Sequence, residues 1–309
     1  MKKKLCLALS GALCLSAGVG CGTETAEETL TPVRLNEVVH SVFYAPQYVA
    51  QELGFFEEEG LDVSVAVGNG ADKSMTALLS DSADIALLGT EAGLYVYAEG
   101  KADYPKTFAQ LTQRAGNFLV GREAQDNFTW ADLKGKKVLG GRAGGMPEMV
   151  FEYILKKNGI DPAADLTIDQ SINFGLTAAA FTSNDADYTV EFEPFATGLE
   201  KEGNGHVIAS LGVDSGYVPY TAYSVKKSYL EKNPETIQKF TNAIQKGLEY
   251  VNTHSAEEIA KVIQPQFKET DEDTIATIVG RYKDQDTWKG DTVFEKDSFE
   301  LLENILEEA

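Results

Sequence analysis

Apolar positions recur along this chain with two periods, every second residue and every third or fourth, and the two periods take turns. Residues 33–39 (Val-Arg-Leu-Asn-Glu-Val-Val) read as a strand, and Pro46, Tyr48, Val49 and Leu53 space a helix that Gly54 stops. Leu61, Val63, Val65 and Val67 then share one face of a second strand. Met75, Leu78 and Leu79 mark a helix, 84–89 is a short apolar run like a buried parallel strand, and a further helix spans 91–98. The alternation restarts after Phe118-Leu119-Val120-Gly121, with strand 137–141, helix 147–158, an extended segment at 165–172 and a short helix at 176–181. Strand 187–192, helix 194–201 and strands 206–211 and 220–225 complete this second unit. The remainder is helical: Asn233 and Pro234 open a helix striped by Ile237, Phe240, Ile244, Leu248 and Val251, while Ser255 with Glu258, and Thr270 with Asp273, fit capping boxes.

Strand-helix units in series predict an α/β fold with parallel-type sheets and right-handed crossovers. The restart divides the chain into a first lobe, 33–117 with 226–309, and a second, 118–225. The first is expected to be discontinuous because the C-terminal helices have no sheet of their own to cover.

The N-terminus lies outside this pattern. Lys2, Lys3 and Lys4 precede an uncharged run to Gly20, so 1–21 reads as an export signal, too short for a comfortable membrane span. Cys21 follows Val19 and Gly20, which resembles a bacterial lipoprotein cleavage site and makes Cys21 the candidate for lipidation, although Gly18 departs from the usual leucine. Residues 22–32 are polar and read as a flexible tether. The other cysteines, Cys6 and Cys14, fall in the signal, so no internal disulfide is expected. Loss of the three lysines takes the formal charge from −21 to −24, which disfavours nucleic acid and anionic membrane; attachment to a membrane is expected through a lipid alone.

Candidate chemistry follows from the strand ends, because ligands of parallel α/β sheets bind beyond the carboxyl ends of the strands. Those ends supply Ser41, Phe43 and Tyr44, then Asn69, then Thr90 and Glu91 from the first unit. The second supplies Arg142, Gly144, Gly145 and Met146, then Asn173, then Glu193 with Phe192 beside it, and Tyr220 is a further aromatic candidate. The glycine turn before Pro147 offers main-chain N–H groups at a helix start, which with Arg142 suits an anion. Glu91 and Glu193 suit the opposite, a ligand that donates N–H groups. Each also has a structural alternative: Arg142 paired with Glu148 or Glu193, and either acid at a helix start. His40, His206 and His254 are scattered without metal-ligand spacing, and no metal or cofactor is implied.

Phe43-Tyr44-Ala45-Pro46-Gln47-Tyr48-Val49-Ala50, Gly54-Phe55-Phe56-Glu57-Glu58-Glu59-Gly60-Leu61-Asp62-Val63, Leu133-Lys134-Gly135-Lys136-Lys137-Val138 and Gly141-Arg142-Ala143-Gly144-Gly145 resemble the solute-binding proteins of bacterial ABC importers. The branch is the SsuA-like one, which covers nitrate, aliphatic sulfonates, taurine and thiamine-pyrimidine precursors. The resemblance implies a two-lobed periplasmic-binding-protein-like fold of type II, hinged near 113–122 and 215–226. Such a protein, acting as a monomer, closes on a small-molecule solute and presents it to a permease and its ATPase. It also implies no catalytic role: the related enzyme branch that makes the thiamine pyrimidine carries a cysteine-rich motif, and this chain has no cysteine after Cys21. An enzyme acting on a pyrimidine-type heterocycle, or a surface sensor, are the alternatives.

Overall fold

In the computed structural model, which describes residues 29–172 and 175–308, the first lobe opens with β1 (Thr31–Glu37), α1 (Ala45–Glu52), α2 (Phe55–Glu58), β2 (Leu61–Val67), α3 (Ala71–Leu79), β3 (Ile85–Gly89), α4 (Glu91–Ala98) and β4 (Pro105–Thr112). The second lobe holds β5 (Asn117–Gly121), β6 (Lys137–Leu139), α5 (Met146–Lys157), β7 (Thr167–Asp169), α6 (Thr177–Ser183), β8 (Tyr188–Phe192), α7 (Phe195–Lys201), β9 (His206–Ser210) and α8 (Leu211–Ser215). The chain returns through β10 (Thr221–Lys226), α9 (Lys227–Lys232), α10 (Pro234–Thr253), α11 (Ala256–Ile263) and α12 (Glu272–Asp284), and ends in α13 (Lys296–Glu308). The expected export signal, the lipidation candidate Cys21 and the site candidate Asn173 lie outside the described residues.

Local chemistry accounts for many boundaries. Gly54 ends α1 with φ of +73°, a left-handed conformation that costs glycine little. Ser255 and Glu258 form the reciprocal capping box of α11. At α12 the cap is Asp271, whose carboxylate accepts from the Thr274 N–H, in place of the expected Thr270 with Asp273. β1 begins inside the expected tether, because Thr31 already pairs with Leu61.

Each lobe is built on a five-stranded sheet, ordered β2-β1-β3-β10-β4 and β7-β6-β8-β5-β9. β1 runs parallel to β2 and β3, and β6 parallel to β7 and β8, as helical crossovers require. β10 is antiparallel to β3 and β4, and β5 is antiparallel to β8 and β9. The sheets are therefore mixed, which corrects the expectation of parallel-type ones. β5 and β10 are the strands on which the chain enters a lobe from the other; no crossover helix fixes their direction.

The lobe division is corrected in two places. β10, expected at the end of the second lobe, sits in the first sheet with Thr221 opposite Gly89 and Thr112. Its residues from Thr221 to Val225 are all buried, so they carry no period that says which sheet they join. α13, expected with the first lobe, packs on α5, where Lys156 donates to the Glu308 carbonyl. The chain thus crosses between the lobes at 113–116, at 216–220 and again at 285–295, where Trp288 bridges Thr112.

Candidate functional site

The ends of β1 and β3 face the turn after β6 and the end of β8 across a hollow of about 90 Å³ between the lobes. Tyr44, Gly89, Glu91 and Tyr220 line it from the first lobe and the hinge; Arg142, Gly145, Met146, Thr177, Glu191 and Phe192 line it from the second.

Two buried carboxylates dominate its electrostatics. Glu91 opens α4 and is 3% exposed. Its carboxylate folds back over Gly89, with Oε1 2.6 Å from where a Cβ at that position would sit. Oε2 has no hydrogen-bond partner. Burial pushes the Glu91 carboxyl up to about 7; the N–H groups of Glu91 and Ala92 and the charge of Arg142 offset this only in part. Glu191, 2% exposed in β8, accepts from Thr189 Oγ1 at 2.6 Å and Thr177 Oγ1 at 2.9 Å. Burial nonetheless pushes it up to about 7. Beside them Tyr220 donates to Asn117 Oδ1 at 2.6 Å, which fixes the orientation of an amide that also lines the hollow.

Three N–H groups of the glycine turn are engaged by the protein itself. The Gly144 N–H donates to Glu148 Oε2 at 3.0 Å, the Gly145 N–H to the Arg142 carbonyl at 3.2 Å, and the Gly140 N–H to the Asp169 carbonyl at 3.1 Å. The protein's own groups occupy these donors, with Glu148 taking the place at the start of α5 that an anion would fill. Burial, and after it a hydrogen bond shared with Glu152, pushes Glu148 up to about 7. Arg142 pairs with neither Glu148 nor Glu193. Its Nη1 lies 3.4 Å from Asp72 Oδ1 in the first turn of α3, across the gap between the lobes.

Of the sequence-expected residues, Tyr44, Glu91, Arg142, Gly145, Met146 and Tyr220 are brought together at the hollow. The others among the described residues are placed elsewhere. Ser41 caps the turn before α1 and donates to the Glu193 carbonyl at 2.7 Å. Phe43 is fully buried in an aromatic core with Tyr44, Phe192, Tyr220 and Tyr282. Asn69 is an exposed turn residue with φ of +55°, and Thr90 donates to the Pro219 carbonyl at 2.6 Å in the hinge. Gly144 is exposed beside the hollow rather than lining it. Glu193 is wholly buried, 2.9 Å from Arg281, with Thr197 donating to both of its oxygens, so it serves as a structural bridge. His40 is likewise engaged, with Glu37 at 2.8 Å and the Gln266 carbonyl at 3.0 Å.

Glu191 shares the strand end 191–194 with Glu193, and it is Glu191, not the expected Glu193, that lines the hollow. A signal for it exists: an acid inside an apolar strand needs donors of its own, and Thr189, two residues earlier, shares its strand face.

A Bacillus subtilis (strain 168) protein named as a binding protein, YtlA, is 50% identical to this chain over 283 residues, 92% of this chain and 85% of its own. A Saccharomyces cerevisiae (strain ATCC 204508 / S288c) enzyme, 4-amino-5-hydroxymethyl-2-methylpyrimidine phosphate synthase THI11, is 26% identical over 229 residues, 68% of this chain and 63% of its own. Among solved structures, the alkanesulfonate-binding protein SsuA of Xanthomonas axonopodis pv. citri, bound to MOPS, superposes with a TM-score of 0.69 at 15% identity, covering 90% of this chain and 91% of that one. At that identity the likeness is one of fold. The NMT1/THI5-like family model matches residues 42–258, and the chain belongs to that family, on the two-lobed type II fold of periplasmic binding proteins.

Proposed function

We propose that this chain is the extracytoplasmic solute-binding component of an ABC importer, tethered through a lipid on Cys21. It captures a small, N–H-donating organic solute of the aminopyrimidine class and delivers it to a permease and its ATPase. The observation that carries the ligand class is the partnerless Glu91 Oε2, buried at the hollow with Glu191 on the opposite lobe. Buried acceptors of this kind want donors and repel a bare anion. The two buried carboxylates at the hollow disfavour a sulfonate or nitrate, and the arginine that lines it is paired with Asp72. The identity to a protein named as a binding protein supports a receptor, and the yeast relative's name supports a pyrimidine-like ligand for the family.

The test is a thermal-shift screen of sulfonates, nitrate, taurine, aminopyrimidines and flavins. An aminopyrimidine at a hundred times its dissociation constant stabilises the closed form by about 2.7 kcal/mol, and the other classes leave unfolding unchanged. Stabilisation by a sulfonate alone overturns the ligand class. The 26% identity to a synthase makes catalysis the competing function, and a new product on incubation with the stabilising compound decides for it.

A further inference from the structure

We propose that the solute is bound as a cation with N–H donors at two ends, one end held by Glu91 of the first lobe and the other by Glu191 of the second. The inference rests on the receptor function above and adds the charge state of the ligand and the residues that select it. Suitable chemistry is an amidinium, a guanidinium or a ring-protonated aminopyrimidine.

The charges at the hollow do not balance. Glu91 and Glu191 are both more than nine-tenths buried, and the guanidinium of Arg142, nearly half exposed, is held by Asp72. Two ionised carboxylates in this setting lack a buried counter-charge, and such a pair is tolerated only if it is neutralised by protons or by a cation. Glu91 Oε2 shows that the protein's own donors do not complete the site. The two carboxylates also sit on different lobes, so a ligand with a donor at one end satisfies one lobe and leaves the other acid in the closed cleft without a counter-charge, Glu191 having only the Thr177 and Thr189 hydroxyls. Two-ended donation is therefore the condition for closure, and this is a specificity rule as well as an affinity term.

The proton balance follows. Below neutral pH the carboxyls hold protons, which a cationic ligand must displace to solvent; above it they are already charged. The titratable groups that reach Glu91 are Arg142 from the turn after β6, together with Tyr44, Tyr95 and Tyr220. Glu191 faces the uncharged hydroxyls of Thr177 and Thr189. The tyrosines stay neutral, so the acids set the pH dependence.

Titration calorimetry with 4-aminopyridinium, its neutral one-ended isostere aniline, and benzenesulfonate tests the inference. At pH 8, 4-aminopyridinium binds at least about tenfold more tightly than aniline, and it weakens by about tenfold or more on going to pH 6. Benzenesulfonate gives no binding heat. Glu91→Gln and Glu191→Gln each reduce 4-aminopyridinium binding by about tenfold or more, and no more than one of them affects aniline. Should a variant fail to fold, wild-type titrations near pH 6 in buffers of different ionisation enthalpy report release of a proton on binding. Equal affinity for aniline, binding of benzenesulfonate, no binding of 4-aminopyridinium, or no proton release each overturns the proposal. Capture of a neutral aminopyrimidine with pH-independent affinity that ignores both substitutions overturns the cation alone and leaves the receptor function standing.

Discussion

Arg142 Nη1 lies 3.4 Å from Asp72 Oδ1, so one ion pair joins the turn after β6 in the second lobe to the start of α3 in the first. Tyr95 adds a second contact across the same gap, its hydroxyl directed to Met149 Sδ at 3.5 Å. On the receptor function proposed above, opening of the cleft would separate both pairs, which makes the ion pair a contact of the closed form.

Asp72→Asn is expected to weaken solute binding without affecting the fold. Both partners are about half exposed, so the pair is worth up to about 1 kcal/mol, or about fivefold in affinity. Raising the salt to about 1 M shortens the screening length to about 3 Å and should bring wild type and variant together. Calorimetric titration at low and high salt checks this. A deficit that survives high salt would show that Asp72 acts on the ligand through something other than this bridge.

Gly89→Ala is expected to abolish most binding while sparing stability. The added methyl would occupy the space of the Glu91 carboxylate, which lies against Gly89, and the flexible acid side chain moves more readily than β3 does. Glu91 is then displaced from the hollow, for a loss of about 10- to 100-fold in affinity if it supplies one charge-assisted contact. Ligand titration and denaturant unfolding on the same preparation test this pair of outcomes. Unchanged affinity would remove Glu91 from the binding site.

The acids Glu191 and Glu193 show what could be read from the chain and what could not. Both occur at a strand end in a sequence that alternates strands and helices, and that much was legible, as were the stop at Gly54, the stripe of α10 and the start of α4 at Glu91. Which of the two acids lines the hollow depends on Arg281, 88 residues away, which holds Glu193. No local period carries that information. The same limit hid the pairing of Arg142 with Asp72 across the lobes, and the placement of β10 in the first sheet.

Arg281→Met is expected to destabilise the protein by about 3–5 kcal/mol, because Glu193 then keeps a buried charge with no cation. Arg281 also bonds Glu200 and Thr197, so α12 loses part of its attachment to the second lobe at the same time, while the Lys201–Thr274 and Glu193–Tyr282 bonds remain. Adding Glu193→Gln to the variant should restore part of the loss, since the uncompensated charge is then gone. Urea unfolding of the single and double variants provides the coupling. Additive effects would mean that the two side chains contribute independently.

The unliganded protein should lose stability as the pH rises through neutrality. Glu91 and Glu191 have folded values near 7, above the usual carboxylate 4.5, so the fold binds protons that the unfolded chain has already released. Their contribution is fully present below about 4.5 and is lost as the pH passes 7, by up to about 3 kcal/mol apiece. His40 acts in the same direction: its hydrogen bond to Glu37 raises it, so its contribution is present below about 6.5 and disappears as the pH passes its higher folded value. Asp84, Asp165 and Asp169 are lowered and oppose the trend only as the pH falls below about 3.8. Denaturant unfolding at about pH 5.5, 6.5 and 8 should therefore give a falling series, and Glu91→Gln with Glu191→Gln should make it shallower, because an amide has no proton to lose, while Glu148, also pushed up to about 7, and His40 keep a residual fall. A wild-type series that rises over the same range would mean that these carboxyls are ionised and stabilised in the empty cleft, and that they need no cation to hold them there.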